Sequence, residues 1–240
     1  ANSEAGTWKK QYSYSFNNLL IQAISPDAGT VQYAYDSANR LRFKMDAAGA
    51  ALNPQQIIYF KYDTLGRLIE EGYIQSADYP WGSSALEGKI NTAAFPITDS
   101  TKSSDPNYAS GKWLKSYQYD SNGTNSTKYL LGRLWKTQIN NGSSPDSESK
   151  LYDAFGNITQ VSVQVQAHGS EVLSTNYSYN NQDQVASISY PKLVAADTAL
   201  EVSYSYDRLG RLAGVGQAVS DGSIIDPSNP PSDPQKYYAW

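Results

Sequence analysis

The sequence predicts an all-β fold: an antiparallel β-hairpin repeat array, broken by one long irregular insertion. Three observations predict it. A phrase of the form Tyr-Asp-x-x-Gly-Arg-Leu recurs along the chain. Tyrosines alternate with other residues just before each copy. Where the glycine is missing, Asn or Asp stands in its place. A chain written in copies of one small unit builds an array rather than a globule around a single site.

Taken in order, the first unit opens near Trp8-Lys9-Lys10 and runs through Tyr12 and Tyr14 to Ser15, Asn18 and Leu20. The second carries Tyr33, Tyr35, Asp36, Asn39, Arg40 and Leu41. The third is Tyr62-Asp63-Thr64-Leu65-Gly66-Arg67-Leu68. The fourth is split, with Tyr117 and Tyr119-Asp120 separated by an insert from Leu131-Gly132-Arg133-Leu134. Tyr152-Asp153-Ala154-Phe155-Gly156-Asn157-Ile158 makes the fifth, without the Arg-Leu pair. The sixth has Tyr177, Tyr179, Asn180, Asp183 and Val185, and the seventh has Tyr204 and Tyr206-Asp207-Arg208-Leu209-Gly210-Arg211-Leu212.

Each part of the unit has a physical role. Period-2 tyrosines place a row of rings on one face of a strand. Asp suits the first position of a type I turn, where its carboxylate accepts backbone N–H groups. The position three residues later is expected at positive φ, in a hairpin with a bulge. Asn18, Asn39 and Asp183 are the residue types that best tolerate that conformation after glycine. The apolar residue after the turn starts the return strand. Second turn signals follow at Pro26-Asp27-Ala28-Gly29 and Asp46-Ala47-Ala48-Gly49. One hairpin cannot bury its apolar face alone, so neighbours are expected to share it.

These phrases resemble the YD repeats of the Rhs family, found in bacterial Rhs proteins, in the cocoon-forming component of ABC-type insecticidal toxins and in teneurins. The resemblance covers nearly the whole chain, from about Tyr12 to Leu212. It implies a YD-repeat spiral or shell segment, a β-solenoid-like wall that encloses a polypeptide or presents adhesive surfaces. Partners implied are other YD repeats of the same parent protein or an encapsulated polypeptide. The implied location is secreted or at a bacterial cell surface.

The chain also departs from that pattern. The Asp-Pro-x-Gly-Leu phrase of the family's self-cleaving element is missing: Asp105-Pro106, Asp226-Pro227 and Asp233-Pro234 lead into Asn, Ser and Gln. Seven units are few for closing a chamber. The chain opens at Ala1 and closes on Tyr237-Tyr238-Ala239-Trp240, which reads like the start of another strand. A segment of a larger protein is therefore expected, organised as a single array over 1–240.

Composition fits such a scaffold. Charged residues are 18% of the chain, below the roughly 25% of an ordinary domain. Twenty tyrosines and five tryptophans supply large apolar areas with polar handles. The absence of cysteine removes disulfides, thiolate metal sites and cysteine nucleophiles. A net charge of −4 argues against nucleic-acid binding, and no apolar run suggests membrane insertion.

Catalytic signals are sparse, and no enzyme activity and no cofactor are expected. His168 is the only histidine and reads as a turn residue. No Gly-x-Ser-x-Gly elbow or phosphate-cradling loop is present. Glu70 and Glu71 fit a solvated strand face. Asp221 to Asp226 and Ser228 to Asp233 lack the spacing of a calcium loop, so no metal is expected and 221–235 reads as a Pro/Ser-rich loop.

Two features carry the binding expectations. Arg40, Arg67, Arg133 and Arg211 follow the turn and are expected to clamp turn aspartates or tyrosine faces one unit away. The repeat lapses over 73–113, where a helix is expected across 84–94. An excursion of that length serves a specific purpose or stays mobile. Its rings Tyr79, Trp81, Tyr108 and Trp113 are either a plug on the sheet or a glycan-stacking surface. An extracellular carbohydrate-binding or cell-adhesion module is thus the alternative to the scaffold.

Overall fold

The computed structural model describes residues 8–121, 129–142, 144–166, 171–192 and 200–217. His168, the 221–235 loop and Tyr237 lie outside the described residues. Among the described residues, fourteen strands follow one another in strict chain order, neighbours pairing antiparallel. The chain divides into two compact units, 1–117 and 118–240.

The first unit holds β1 (Gln11–Tyr14), β2 (Leu20–Ser25), β3 (Gly29–Tyr35), β4 (Leu41–Met45), β5 (Gln56–Tyr62), β6 (Leu68–Gln75) and most of β7 (Gly111–Tyr119). The second holds β8 (Leu134–Ile139), β9 (Asp146–Tyr152), β10 (Ile158–Gln164), β11 (Val172–Tyr179), β12 (Val185–Ser189), β13 (Glu201–Tyr206) and β14 (Leu212–Gln217). The repeated turn joins β1 to β2, β3 to β4, β5 to β6, β9 to β10, β11 to β12 and β13 to β14. At each, the tyrosine faces the apolar residue that opens the return strand: Tyr35 opposite Leu41, Tyr62 opposite Leu68, Tyr206 opposite Leu212. A register shift sits beside every such pair, as a hairpin bulge requires.

Antiparallel pairing puts facing residues on one side of the sheet. In the first unit, Phe43 lies opposite Tyr59, Tyr59 opposite Gly72, and Ile57 opposite Ile74. These residues, with Met45, form a buried core with Leu86, Phe95 and Ala109 of the excursion between β6 and β7. The excursion itself is 76–110, because Tyr73 pairs with Lys112 and Gly72 with Trp113 inside the β6–β7 ladder. Gly72 is required there: an added Cβ would meet the Lys112 carbonyl and the Trp113 Cα.

The second unit has a different inner chemistry. Opposite its tyrosine rows stand Gln160 and Asn176, Ser162 and Ser174, Ser178 and Ser187, and Ser203 and Gly216. Three of these pairs bond across strands, Gln160 to Asn176, Ser162 to Ser174 and Ser178 to Ser187, each at 2.8 Å. The apolar face therefore appears where the excursion covers it.

Two local expectations differ from the structure. The helix expected across 84–94 is one turn, α2 (Ser84–Glu87), with the Ser83 hydroxyl accepting from Leu86 N and Gly88 closing it. Asp46-Ala47-Ala48-Gly49 opens a helical turn, α1 (Ala47–Ala50), because the Asp46 carboxylate caps it by accepting from Gly49 N at 2.8 Å.

Candidate functional site: the repeated turn and the joint between hairpins

The turn is built by one carboxylate. Asp63 Oδ1 accepts from Leu65 N and Arg67 N, both at 2.9 Å, while Asp63 Oδ2 accepts from Arg67 Nε at 2.7 Å. Asp36 and Asp207 repeat this with Ala38, Arg40, Leu209 and Arg211. In the fifth unit Asn157 replaces the arginine and donates to Asp153 Oδ2 at 3.0 Å. In the sixth, Asn180 replaces the aspartate and accepts from Gln182 N and Gln184 N. The split unit closes too, with Gly132 N donating to Asp120 Oδ1 at 2.7 Å. Asn18, Asn39 and Asp183 take φ of 58°, 61° and 58°, and Gly66, Gly132, Gly156 and Gly210 lie between 77° and 102°.

These contacts set the charges. Burial raises the Asp36 and Asp63 carboxyls, but hydrogen bonds from the arginine backbone and side chain outweigh it and hold both below the ordinary value. At Asp207 the Arg211 backbone and side-chain bonds lower the carboxyl directly.

A second contact joins five of the hairpins to the one before. Tyr35 donates its phenol to Leu20 O at 2.9 Å, and Tyr62 donates to Leu41 O at 2.9 Å. In the second unit, Tyr152 reaches Leu134 O at 2.7 Å, Tyr179 reaches Ile158 O at 2.8 Å, and Tyr206 reaches Val185 O at 2.9 Å. The acceptor is always the residue that opens the previous return strand. Burial pushes the Tyr35, Tyr62 and Tyr179 phenols up, so they stay protonated donors.

The residue after the positive-φ position reaches the other way, toward the next turn. Arg40 Nη1 lies 3.4 Å from Asp63 O, with its guanidinium 5.0 Å from the Tyr62 ring centre. Arg133 Nη1 donates to Asp153 O at 3.2 Å and stands over Tyr152 at 5.3 Å. Asn157 reaches Asp183 Oδ1 at 3.0 Å, and Gln184 reaches Gly210 O at 2.8 Å. Arg40, Arg67 and Arg211 also hold the aspartate of their own turn, a contact that the spacing Asp-x-x-Gly-Arg could have signalled.

The excursion is pinned by a residue that sequence reasoning missed. Arg42 is 3% exposed and donates to Ile90 O at 3.0 Å, Thr92 O at 3.1 Å, Phe95 O at 2.8 Å and Phe60 O. Burial opposes its charge and Asp36 supports it. Its only sequence signal is an arginine one residue after the repeated turn phrase, where the other units place varied residues.

Of the four rings singled out, Tyr79 packs edge-on against Phe95 at 4.8 Å between centres, and Trp81 and Trp113 lie against the same core. Tyr108 bridges to Ile97 within the excursion. The four are half-buried. Glu70 accepts from Tyr59 at 2.8 Å and pairs with Lys61, and Glu71 accepts from Tyr117 at 3.2 Å. Burial and the Glu70 carboxylate push the Tyr59 phenol well up. Among the described residues, no three His, Asp or Glu side chains converge to hold a metal, and no helix is long and apolar enough to cross a membrane.

The crystal structure of a TcdB2–TccC3–Cdc42 complex matches 91% of this chain at a TM-score of 0.59 and 13% identity. That of TcdB2–TccC3 matches 91% at a TM-score of 0.58 and 12% identity. The fold is that of these Tc toxin chains. This chain spans 9% and 10% of their lengths. In sequence, it is 27% identical over 188 residues to Salivary gland surface protein 1 of Aedes aegypti, covering 78% of this chain and 5% of that protein. No protein-family model matches.

Proposed function

We propose that this chain is a structural segment of a larger, secreted or surface-displayed Rhs-like YD-repeat protein, and that it builds part of a β-wall enclosing or displaying another polypeptide. The observation that carries this is the joint repeated in Tyr35, Tyr62, Tyr152, Tyr179 and Tyr206. Each of these units commits its tyrosine to the unit before it, which is what a wall needs and what a solitary catalytic centre does not. The likeness in fold to TcdB2–TccC3 chains supports the same role. The role is non-catalytic and takes no cofactor. Tyr79, Trp81 and Trp113 are spent on holding the excursion to the sheet.

Limited proteolysis of the whole parent protein tests this. A polypeptide protected in the native protein and cleaved once the wall is opened by denaturant supports it. Equal cleavage in both states, together with glycan binding lost in Trp81→Ala and Trp113→Ala, supports a carbohydrate-binding module instead.

A further inference from the structure

The sheet of the first unit has a second face, opposite the excursion. Tyr33 pairs with Lys44, Lys44 with Ile58, Ile58 with Tyr73, and Tyr73 with Lys112, so five residues form one row across β3, β4, β5, β6 and β7. All five are half-buried, and none belongs to the core cluster that the excursion covers. Facing residues share a side of the sheet. The row is therefore a floor of Ile58 and Tyr73 between two ammonium groups.

The charge of this face is unbalanced. On these strands it carries Lys44, Lys112 and Lys115 against one carboxylate, Glu71. Glu71 is taken by Lys115 at 3.7 Å and by the Tyr117 phenol at 3.2 Å. Asp46, two residues beyond Lys44, accepts from Gly49 N at 2.8 Å as the cap of α1. Among the described residues, Lys44 and Lys112 enter no ion pair. The tyrosine face of the second unit carries Lys150 and Glu148, and those two pair at 2.9 Å.

β4 and β7 stand three strand spacings apart, about 14 Å at ~4.8 Å each. Four residues of extended chain cover about the same distance, and their positions i, i+2 and i+4 point one way. We propose that this face seats an extended acidic segment of the polypeptide that the wall encloses or displays. The segment crosses the strands with carboxylates at i and i+4 on Lys112 and Lys44, and an apolar side chain at i+2 over Ile58 and Tyr73. Near-perpendicular crossing is one of the two ways β layers pack face to face. A second copy of this chain fits poorly, because a twofold pairing of this face sets lysine against lysine. The proposal rests on the wall reading, which supplies the polypeptide.

Calorimetric titration of the full chain with a synthetic nonapeptide, Gly-Ser-Glu-Thr-Val-Thr-Glu-Ser-Gly, tests the seat. Saturable binding is expected at low salt, weakening as salt rises. Lys44→Gln and Lys112→Gln should each weaken it by roughly 2- to 5-fold, the worth of one exposed ion pair, with the melting temperature unchanged. A Lys44→Glu/Lys112→Glu chain should lose this peptide and bind its counterpart with lysine in place of glutamate. Moving the second glutamate by one position, to the other side of the extended peptide, should weaken binding as much as removing it. No saturable binding at millimolar peptide overturns the proposal. So does equal binding of the peptide with glutamine in place of glutamate, or a charge-swapped chain that keeps the original preference. Displacement of the peptide by oligothymidylate at lower concentration also overturns it, in favour of a nucleic-acid surface. In the parent protein, a protease-protected polypeptide without peptide binding here sinks the seat alone, and no protected polypeptide sinks the wall.

Discussion

The Tyr62 phenol donates to the Leu41 carbonyl oxygen at 2.9 Å, tying the third hairpin to the second. The same bond at Tyr179 and Ile158 ties the sixth to the fifth. Removing the hydroxyl leaves a half-buried carbonyl without its donor while keeping the ring. Tyr62→Phe and Tyr179→Phe should each cost about 1 kcal/mol in urea unfolding. An unchanged midpoint in both contradicts the joint.

Stability should narrow at both pH extremes. Asp36, Asp63 and Asp207 lie below their ordinary 3.8 in the fold. Their contribution is fully present above that value and is lost as pH falls through the lower folded values. Tyr35, Tyr62 and Tyr179 lie above their ordinary 10.0. Their contribution is present below that value and is lost as pH rises through the higher folded ones. Thermal melts across pH check this, and Asp63→Asn should flatten the acid limb.

Backbone conformation separates two kinds of glycine. At Gly66, φ is 81° and an added Cβ meets only Arg40 atoms at 3.8 Å or beyond. Gly66→Ala should therefore cost about 1–2 kcal/mol of left-handed strain and leave the register intact. Gly72→Ala meets backbone and should disrupt the β6–β7 pairing outright. Conversely, Asn39→Gly should be stabilising or neutral. Denaturant melts and hydrogen exchange of β6 and β7 distinguish these outcomes.

Arg42 holds the excursion by three of its carbonyls and ties it to β5 through a fourth, that of Phe60. Arg42→Met leaves those largely half-buried acceptors without their donor and should cost about 3 kcal/mol. Hydrogen exchange should speed up across 84–97 before the sheet itself loosens. Lysine lacks the planar fork that spans several carbonyls, so Arg42→Lys should restore the charge but little protection.

The strands and turns were legible because the repeat encodes backbone geometry locally. Asn39 and Asp183 in a glycine's place reveal positive φ, and Tyr33 and Tyr35 reveal a strand face. The joint was less legible. Tyr62 is separated from Leu41 by a whole strand, and its acceptor is a backbone carbonyl with no residue signature. The arginine contacts run both within the turn and across to the next, and spacing alone suggested the longer reach. Arg42 was illegible because its partners are carbonyls of an irregular segment. The helical pattern over 84–94 overstated α2, where Gly88 ends the turn that Ser83 begins.

Cryo-electron microscopy of the whole parent protein tests the proposed role most directly. These hairpins should lie within a continuous β-wall, joined by the phenol-to-carbonyl contact, with another polypeptide enclosed by it or mounted on it. A free-standing array with solvent on both faces and no polypeptide against either would contradict it.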